Sequence, residues 1–404
     1  MKGDKKLVFV SADNNNKFYN MHDNNDETFT VEWGRIGATK DSTIYPIKKW
    51  DSIYRDKTRK GYKDVTEIFA EATNDGKIIP FANIKDSQVN KIIEQLQRYA
   101  KKSVQENYTV ASESVTQKQI DEAQAFIDQL AKIKPTVSEP INELLLEIYS
   151  VIPRRMNNVK YHLFGGEKGL GLAQDSLDRI ISNEQSTLDV MRGQVSTFAK
   201  TNVKDNSKKT LLEAMGISIE QINDNDHATI TKLLGLNARQ FKSAFRLVNN
   251  VTQERYDKFY NNKNDKRAYL FWHGSRNENW WNILDTGLLL RPANVVLSGK
   301  MFGYGIYFAD KAQKSIGYSS LRGSYWASGS SDRAYLALFQ VHTGSWLHVK
   351  KHEYWMADLN EKKLQQRGAY DSLFAEGGYD LRNNEYIVYN QNQCTIKYLV
   401  EIGA

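Results

Sequence analysis

The sequence predicts a multidomain α+β protein in three parts: a small antiparallel-sheet module, an all-helical middle, and a mixed α/β C-terminal domain. Three observations carry that reading. A chain of 404 residues exceeds one ordinary core. Between Asn83 and about Gln194 the apolar residues fall three and four apart, the period of helices with one buried face. From about residue 215 onward, short β-branched and aromatic runs alternate with turn-forming residues. The expected domains are 1–80, 84–212 and 215–404.

In the first part, residues 7–11 and 28–36 read as strands, with the Asn- and Asp-rich stretch between them as turn material. From Pro46 the period changes, because Ile47, Trp50, Ile53 and Tyr54 make a helical stripe, and Gly61 stands where that helix would stop. Between Val31 and Lys63 nine lysines and arginines face four acidic residues. Such a run is ordinarily a solvated helix face, and it also suits a polyanionic partner.

The middle carries three clear stripes: Val89, Ile92, Ile93, Leu96 and Tyr99; Ile120, Ala123, Phe126, Ile127 and Leu130; Ile141, Leu144, Leu145, Ile148 and Tyr149. Asp86 or Ser87 can cap the first helix, and Pro140 fits the opening turn of the third. Leu177 to Met191 adds one or two more helices. Stripes of this kind must bury against one another, which makes a bundle the economical arrangement. His162 has no neighbouring histidine, cysteine or carboxylate pattern that would make it a metal ligand. Residues 201–210 and 223–226 are polar and read as linker or exposed loop.

In the last part, Leu233 to Leu247 has helical spacing, while Tyr269–Trp272, Tyr335–Val341, Leu347–Val349, Glu385–Tyr389 and Thr395–Val400 read as strands. Gly303 and Gly305 would let the backbone pass closely behind a ligand. No Gly-x-Gly-x-x-Gly pattern follows a first strand, so a Rossmann site is not expected. Residues 353–384 read as one long loop.

Composition narrows the class. The net charge of +7 permits nucleic acid as a partner. The single cysteine, Cys394, excludes an internal disulfide framework and a cysteine-rich zinc cluster, and no metal is expected. Leu7 to Val10 is too short an apolar run for a signal peptide or a membrane span. A soluble intracellular protein without membrane partners is expected, in the nucleus of a eukaryote or in the cytoplasm or nucleoid of a bacterial or viral system.

Three segments identify a family. They are Phe271-Trp272-His273-Gly274-Ser275-Arg276, Met301-Phe302-Gly303-Tyr304-Gly305-Ile306-Tyr307-Phe308-Ala309-Asp310, and Asn384-Glu385-Tyr386-Ile387-Val388-Tyr389. Together they resemble the catalytic domain of the poly(ADP-ribose) polymerases, which move ADP-ribose from NAD+ onto proteins or nucleic acid. The resemblance implies two packed sheets with NAD+ in the cleft between them. It implies that Gly274 and Ser315 fix the nicotinamide carboxamide, that Tyr318 stacks on the ring and Tyr307 packs from its other side. His273, assisted by Ser275, would position the adenosine ribose. Glu385 would steady the oxocarbenium-like ribose carbon and orient the attacking hydroxyl, and a glutamate at this point keeps chain growth open. Met301 and Lys314 would face the acceptor; on their own, Met301 reads as core filler, Lys314 as a surface amine and Tyr307 as a buried aromatic. Leu289 stands where better-known members carry an arginine beside the adenosine, and Lys300 and Tyr304 also depart from them. The loop from Leu288 to Lys300 would cover the pocket.

The segment Trp33-Gly34-Arg35-Ile36-Gly37 resembles the signature of the WGR domain, and Lys48 through Tyr62 resembles the helix that follows it. This implies recognition of DNA ends or nicks. Trp33 would stack on a terminal sugar or base, Arg35 would touch phosphate or link to the rest of the enzyme, and Lys48, Lys49 and Arg59 would contact the backbone. The bland alternative makes Trp33 a core residue and Arg35 a surface one. The helical middle resembles the regulatory domain that blocks the NAD+ site until DNA binds. The expected activity is poly(ADP-ribosyl) transfer to itself and other proteins; the alternatives are single-unit transfer to protein or nucleic-acid ends, NAD+ hydrolysis, and an inactive DNA-binding scaffold. The oligomeric state is not legible.

Overall fold

The computed structural model describes residues 2–69, 81–109, 115–165, 174–201, 209–290 and 301–403. It divides into two compact units, residues 1–77 with 102–198, and residues 78–101 with 199–404.

The first unit opens with strands β1 (Lys5–Ser11), β2 (Asn15–Asp23), β3 (Thr28–Arg35) and β4 (Asp41–Pro46), helix α1 (Trp50–Arg59), the short β5 (Lys63–Asp64) and α2 (Thr66–Phe69). The strands form one antiparallel sheet in the order β4-β3-β2-β1-β5. Its buried face gathers Leu7, Tyr19, Met21, Phe29 and Val31, and α1 closes over it with Trp50, Ile53 and Tyr54. Gly61 ends α1 with φ +89°, the left-handed conformation that a side chain resists. The expected strands are present, and three more, β2, β4 and the two-residue β5, were not expected. The Asn-rich stretch supplies turns at Asn14 (φ +64°) and Asn25 (φ +60°), yet between them Tyr19 and Met21 alternate inward as β2. Strand β4 lies at the sheet edge with four of its six residues exposed and none buried, so it offers no buried face to read.

Helices α3 (Ser87–Asn107), α4 (Gln117–Leu130), α5 (Glu139–Val151) and α6 (Gln174–Thr201) follow. The residues of α3 up to Lys101 belong to the second unit. Asp86 caps α3, its Oδ1 accepting from the amides of Gln88 (2.8 Å) and Val89 (3.1 Å). Thr116 and Gln119 form a capping box on α4, and Pro140 sits in the first turn of α5. The stretch read as one or two helices is a single one, α6. A buried ion pair joins Arg154 to Glu184 of α6, with the guanidinium 5.0 Å from the Tyr108 ring centre and 5.7 Å from that of Tyr149. His162 lies against Tyr149, whose hydroxyl donates to the His162 carbonyl (2.8 Å).

The second unit continues with α7 (Leu211–Ala214), β6 (Ile217–Gln221), α8 (Asp224–Leu234), β7 (Phe241–Asn249), α9 (Asn250–Asn261), β8 (Ala268–Gly274), α10 (Trp280–Thr286), β9 (Ile306–Phe308), α11 (Ala312–Ile316), β10 (Arg333–His342), β11 (Trp346–Val349), α12 (Glu361–Gly368), β12 (Ser372–Ala375), β13 (Glu385–Val388) and β14 (Cys394–Gly403). A five-stranded sheet runs β6-β7-β14-β10-β8 and a four-stranded sheet runs β11-β12-β13-β9. One face of the larger sheet buries Trp272, Leu336, Leu338, Val400 and Ile402 with Ile230 and Leu234. The smaller sheet packs Leu373, Ala375 and Ile387 against Phe302, Met356 and Leu359.

Several expectations are corrected here. Leu233–Leu247 is not one helix: α8 ends at Leu234, a 3-10 stretch spans Gly235–Gln240, and β7 begins at Phe241. Residues 223–226 are no loop, because Asn223 caps α8 and Asp226 is buried, gripping Arg246 through both carboxylate oxygens (2.7 Å each). Residues 353–384 contain α12 and β12. The loop residues 291–300, with Lys300, and the linker residues 202–208 lie outside the described residues.

Candidate active site

The two sheets of the second unit meet where β8 runs past β9. Trp272 donates its amide to the Ala309 carbonyl (2.8 Å) and accepts from the Ala309 amide (3.0 Å). Backbone groups alternate sides along a strand, so the amide and carbonyl of Gly274, two residues on, point to the same side as those of Trp272. Gly274 cannot carry a side chain, since an added Cβ would stand 1.9 Å from the Ser315 carbonyl oxygen. Strand β8 and helix α11 are thereby held in backbone contact, and Ser315 is buried beside Gly274.

His273 reaches across to β9, with Nδ1 3.1 Å from the Tyr307 carbonyl oxygen. A carbonyl can only accept, so Nδ1 carries the proton and Nε2 is left as an acceptor on a neutral ring. Trp280, Phe308 and Phe339 stand steeply inclined to the imidazole at 6.5, 5.8 and 6.0 Å. Burial pushes the imidazole down to about 4. The ring is a hydrogen-bonding fixture at neutral pH, able to take a hydroxyl proton into a hydrogen bond. Ser275 accepts from the Asn279 amide (2.9 Å).

The Tyr307 hydroxyl donates to the Gly303 carbonyl (2.8 Å) and accepts from the Phe302 amide (3.2 Å), which fastens the 302–303 turn to β9. Burial raises its pKa, so it stays protonated. Gly303 and Gly305 are explained by the protein's own packing. Their added Cβ atoms would lie 2.2 Å from the Leu359 carbonyl oxygen and 2.3 Å from Ile387 Cγ2. Met301 packs against the cluster around Phe302 and Leu359.

Glu385 opens β13 and is buried. Lys314 of α11, partly buried, donates Nζ to Glu385 Oε1. Burial pushes this amine down to about 8, opposed by the charge of Asp310. Asp310 in turn accepts from the Asn384 amide (2.7 Å), and its other carboxylate oxygen, Oδ1, has no partner among the described residues. Tyr318 follows α11 and is 42% exposed. The structure therefore gathers His273, Gly274, Ser315, Tyr318, Tyr307, Lys314 and Glu385 around the junction of α11 with strands from both sheets. The Asp310–Asn384 pair was not anticipated, although both residues stand inside the quoted motifs.

In the first unit Trp33 is half-buried at the edge of the sheet core, tilted against Tyr19 at 6.3 Å. Arg35 is engaged: it donates to Asn14 O (2.9 Å), Asn14 Oδ1 (3.0 Å), Asn157 O (3.2 Å) and Met156 O (3.4 Å). It thus ties the sheet to the segment after α5. Lys48 and Lys49 are exposed ahead of α1, whereas Arg59 is exposed at its far end, on the order of 15 Å away along the helix. These three cations do not form one patch.

Comparison with known proteins decides the family. The Poly(ADP-ribose) polymerase catalytic domain matches residues 218–404 and the WGR domain matches residues 5–68. A putative poly [ADP-ribose] polymerase-like protein, 100L, of Invertebrate iridescent virus 6 is 33% identical over 156 residues, spanning 37% of this chain and 79% of that protein. The chain belongs to the poly(ADP-ribose) polymerase family. A second protein of that virus, the uncharacterized 101L, is 31% identical over 50% of this chain and 80% of its own length. The Arabidopsis thaliana Poly [ADP-ribose] polymerase 2 is 22% identical across 96% of this chain and 71% of its own. The polymerase-family domain makes the chain an NAD+ ADP-ribosyltransferase, with NAD+ as substrate. Among the described residues no group of three or more His, Cys, Asp or Glu side chains is placed to hold a metal. No helix of the described residues is long and apolar enough to cross a membrane.

Proposed function

We propose that this enzyme transfers successive ADP-ribose units from NAD+ to itself and to other proteins, and that DNA ends or nicks bound at the WGR domain raise its rate. The observation that supports chain growth is the buried Glu385 beside Lys314 at the cleft. In this reading Gly274 and Ser315 hold the nicotinamide carboxamide, and the ring lies between Tyr307 and Tyr318. Neutral His273 accepts a ribose hydroxyl through Nε2, with Ser275 beside it. Glu385 accepts from the nicotinamide-ribose 2′-hydroxyl and stabilises the positive charge that develops as the glycosidic bond opens, an interaction strongest in the transition state. It then orients the attacking acceptor hydroxyl. Lys314 and Met301 lie on the acceptor side.

At the other end of the chain, Trp33 would stack on a terminal sugar or base, with Lys48, Lys49 and Arg59 near the phosphates. Arg35, tied to Met156 and Asn157, supports the role of link more than that of phosphate contact. The functional division into 1–80, 84–212 and 215–404 belongs to this proposal, with the helical part as the block that DNA releases.

The test is incubation with radiolabelled NAD+, with and without short nicked or blunt duplexes, followed by denaturing gels. A DNA-dependent ladder removed by protease is expected. A single shifted band would refute chain growth, equal rates with and without DNA would refute activation, and label lost to nuclease instead of protease would refute the protein acceptor.

A further inference from the structure

We infer that Trp326 is a positioning residue for NAD+ binding, holding the Tyr318 ring in place as a second aromatic layer at the pocket rim. This rests on the reading of Tyr318 as the nicotinamide-stacking residue.

Segment 321–331 is a closed loop. Leu321 and Ser331 form a bridge, Arg322 donates its amide to Ser331 O (2.8 Å), Gly329 donates to Ser324 Oγ (2.8 Å), and Ser331 donates to Ser320 O (2.9 Å). At its tip, the amides of Trp326 (2.9 Å) and Ala327 (3.1 Å) both donate to the carbonyl of Gly317. The indole lies directly on Gly317, where an added Cβ would come 3.2 Å from Trp326 Cδ1. These bonds fix the Trp326 backbone to the residue that precedes Tyr318.

The side chains continue the arrangement. The Trp326 and Tyr318 rings are near parallel, at 16° with centres 6.1 Å apart, and Tyr325 stands perpendicular to the indole at 4.7 Å. Yet Trp326 is 64% exposed and Tyr325 79% exposed. Burial therefore does not explain why two large aromatics sit here. Alignment of Tyr318 does: an exposed ring with two rotatable bonds must be ordered when a flat ligand stacks on it, and a fixed neighbouring ring removes part of that cost beforehand. The Tyr318 amide also donates to Ser315 O (3.1 Å), the atom against which Gly274 is packed. Trp326 is thus anchored to the short stretch that carries both groups proposed to hold nicotinamide.

The experiment compares the full chain with Trp326→Ala, Trp326→Phe, Tyr318→Ala and the Tyr318→Ala/Trp326→Ala pair, measuring nicotinamide release against NAD+ concentration with nicked duplex present. Trp326→Ala should raise KM for NAD+ and the inhibition constant of nicotinamide together, by about three- to tenfold, with kcat within twofold of wild type. Trp326→Phe should restore most of the loss, and the double variant should be no worse than Tyr318→Ala. A raised KM in Tyr318→Ala alongside an unchanged KM in Trp326→Ala overturns the inference and leaves the pocket reading standing. Unchanged KM in both overturns the pocket reading as well. Additive effects in the double variant would also overturn it, because Trp326 would then act independently of Tyr318.

Discussion

Replacing Gly274 by alanine tests the tightest contact in the site. The new Cβ would lie 1.9 Å from the Ser315 oxygen and 2.7 Å from its carbonyl carbon. Non-bonded Cβ contacts essentially never fall below 3.0 Å, so β8 and α11 must separate by about 1 Å. Neither side yields easily, because β8 is paired with β10 from Ala268 to Gly274 and the Ser315 oxygen is backbone. Helix α11 is short and carries Lys314 and Ser315, with Tyr318 just beyond it, so its displacement moves three proposed site residues together. A misplacement of about 1 Å can cost about 10²-fold in rate, and overpacking of this kind costs about 1–3 kcal/mol in stability. The expected result is a fall of about 30- to 100-fold in kcat/KM for NAD+, with weaker inhibition by nicotinamide and a protein that still folds. Nicotinamide release and a thermal melt measure both. A variant within threefold of wild type in kcat/KM would refute the reasoning.

Glu385→Gln should lower kcat by about 10²–10³ with little change in KM for NAD+, measured by nicotinamide release; a loss under tenfold would remove Glu385 from the transition state. His273 titrates near 4 in the folded protein against about 6.5 unfolded, so between those values only the unfolded chain takes up the proton. Wild-type stability should therefore fall relative to His273→Gln as pH drops from about 6.5 to 4, by up to about 3 kcal/mol, with no difference in slope above pH 7; parallel melting curves across that range would refute a ring held neutral. Arg35→Ala should destabilise the first unit by about 1–3 kcal/mol while leaving the salt dependence of DNA binding unchanged. A salt slope reduced by about one would instead make Arg35 a phosphate contact.

The helical middle was legible because each stripe lies within one element, as Ile120, Ala123, Ile127 and Leu130 do on α4, all buried. Leu233–Leu247 misled because apolar residues of two elements fell into a single period by chance. Leu234 is buried at the end of α8, Leu236 is 95% exposed in the following turn, and Leu247 is buried in β7. Strand β2 was missed because it carries Asn15, Asn16 and Asn20 itself and is flanked by the turn residues Asn14 and Asn25, so the whole stretch reads as turn material. Of the residues proposed for the site, His273, Gly274, Tyr307 and Glu385 stand in short contiguous motifs, whereas Lys314, Ser315 and Tyr318 were named only by their place after the second motif. Their mutual contacts were not legible. Lys314 meets Glu385 across 71 positions, and Arg35 meets Asn157 across 122. Periodicity reports which face of an element is buried, and says nothing of which distant element lies against it. The glycines show the same limit, since Gly303 is required by Leu359, which lies beyond the reach of any local signal.

In the proposed reading the site keeps two electrostatic tasks apart. His273 is surrounded by Trp280, Phe308 and Phe339, an environment that disfavours charge, and among the described residues its ring is hydrogen-bonded to a neutral carbonyl. In the proposed reading it therefore holds the adenosine ribose by a hydrogen bond alone, without charge. Glu385 faces the opposite demand. A carboxylate buried without a partner would take up a proton and lose the charge its proposed role needs. Lys314 supplies a counter-charge, donating Nζ to Glu385 Oε1. Burial pushes this amine down to about 8, so at neutral pH it still carries its charge.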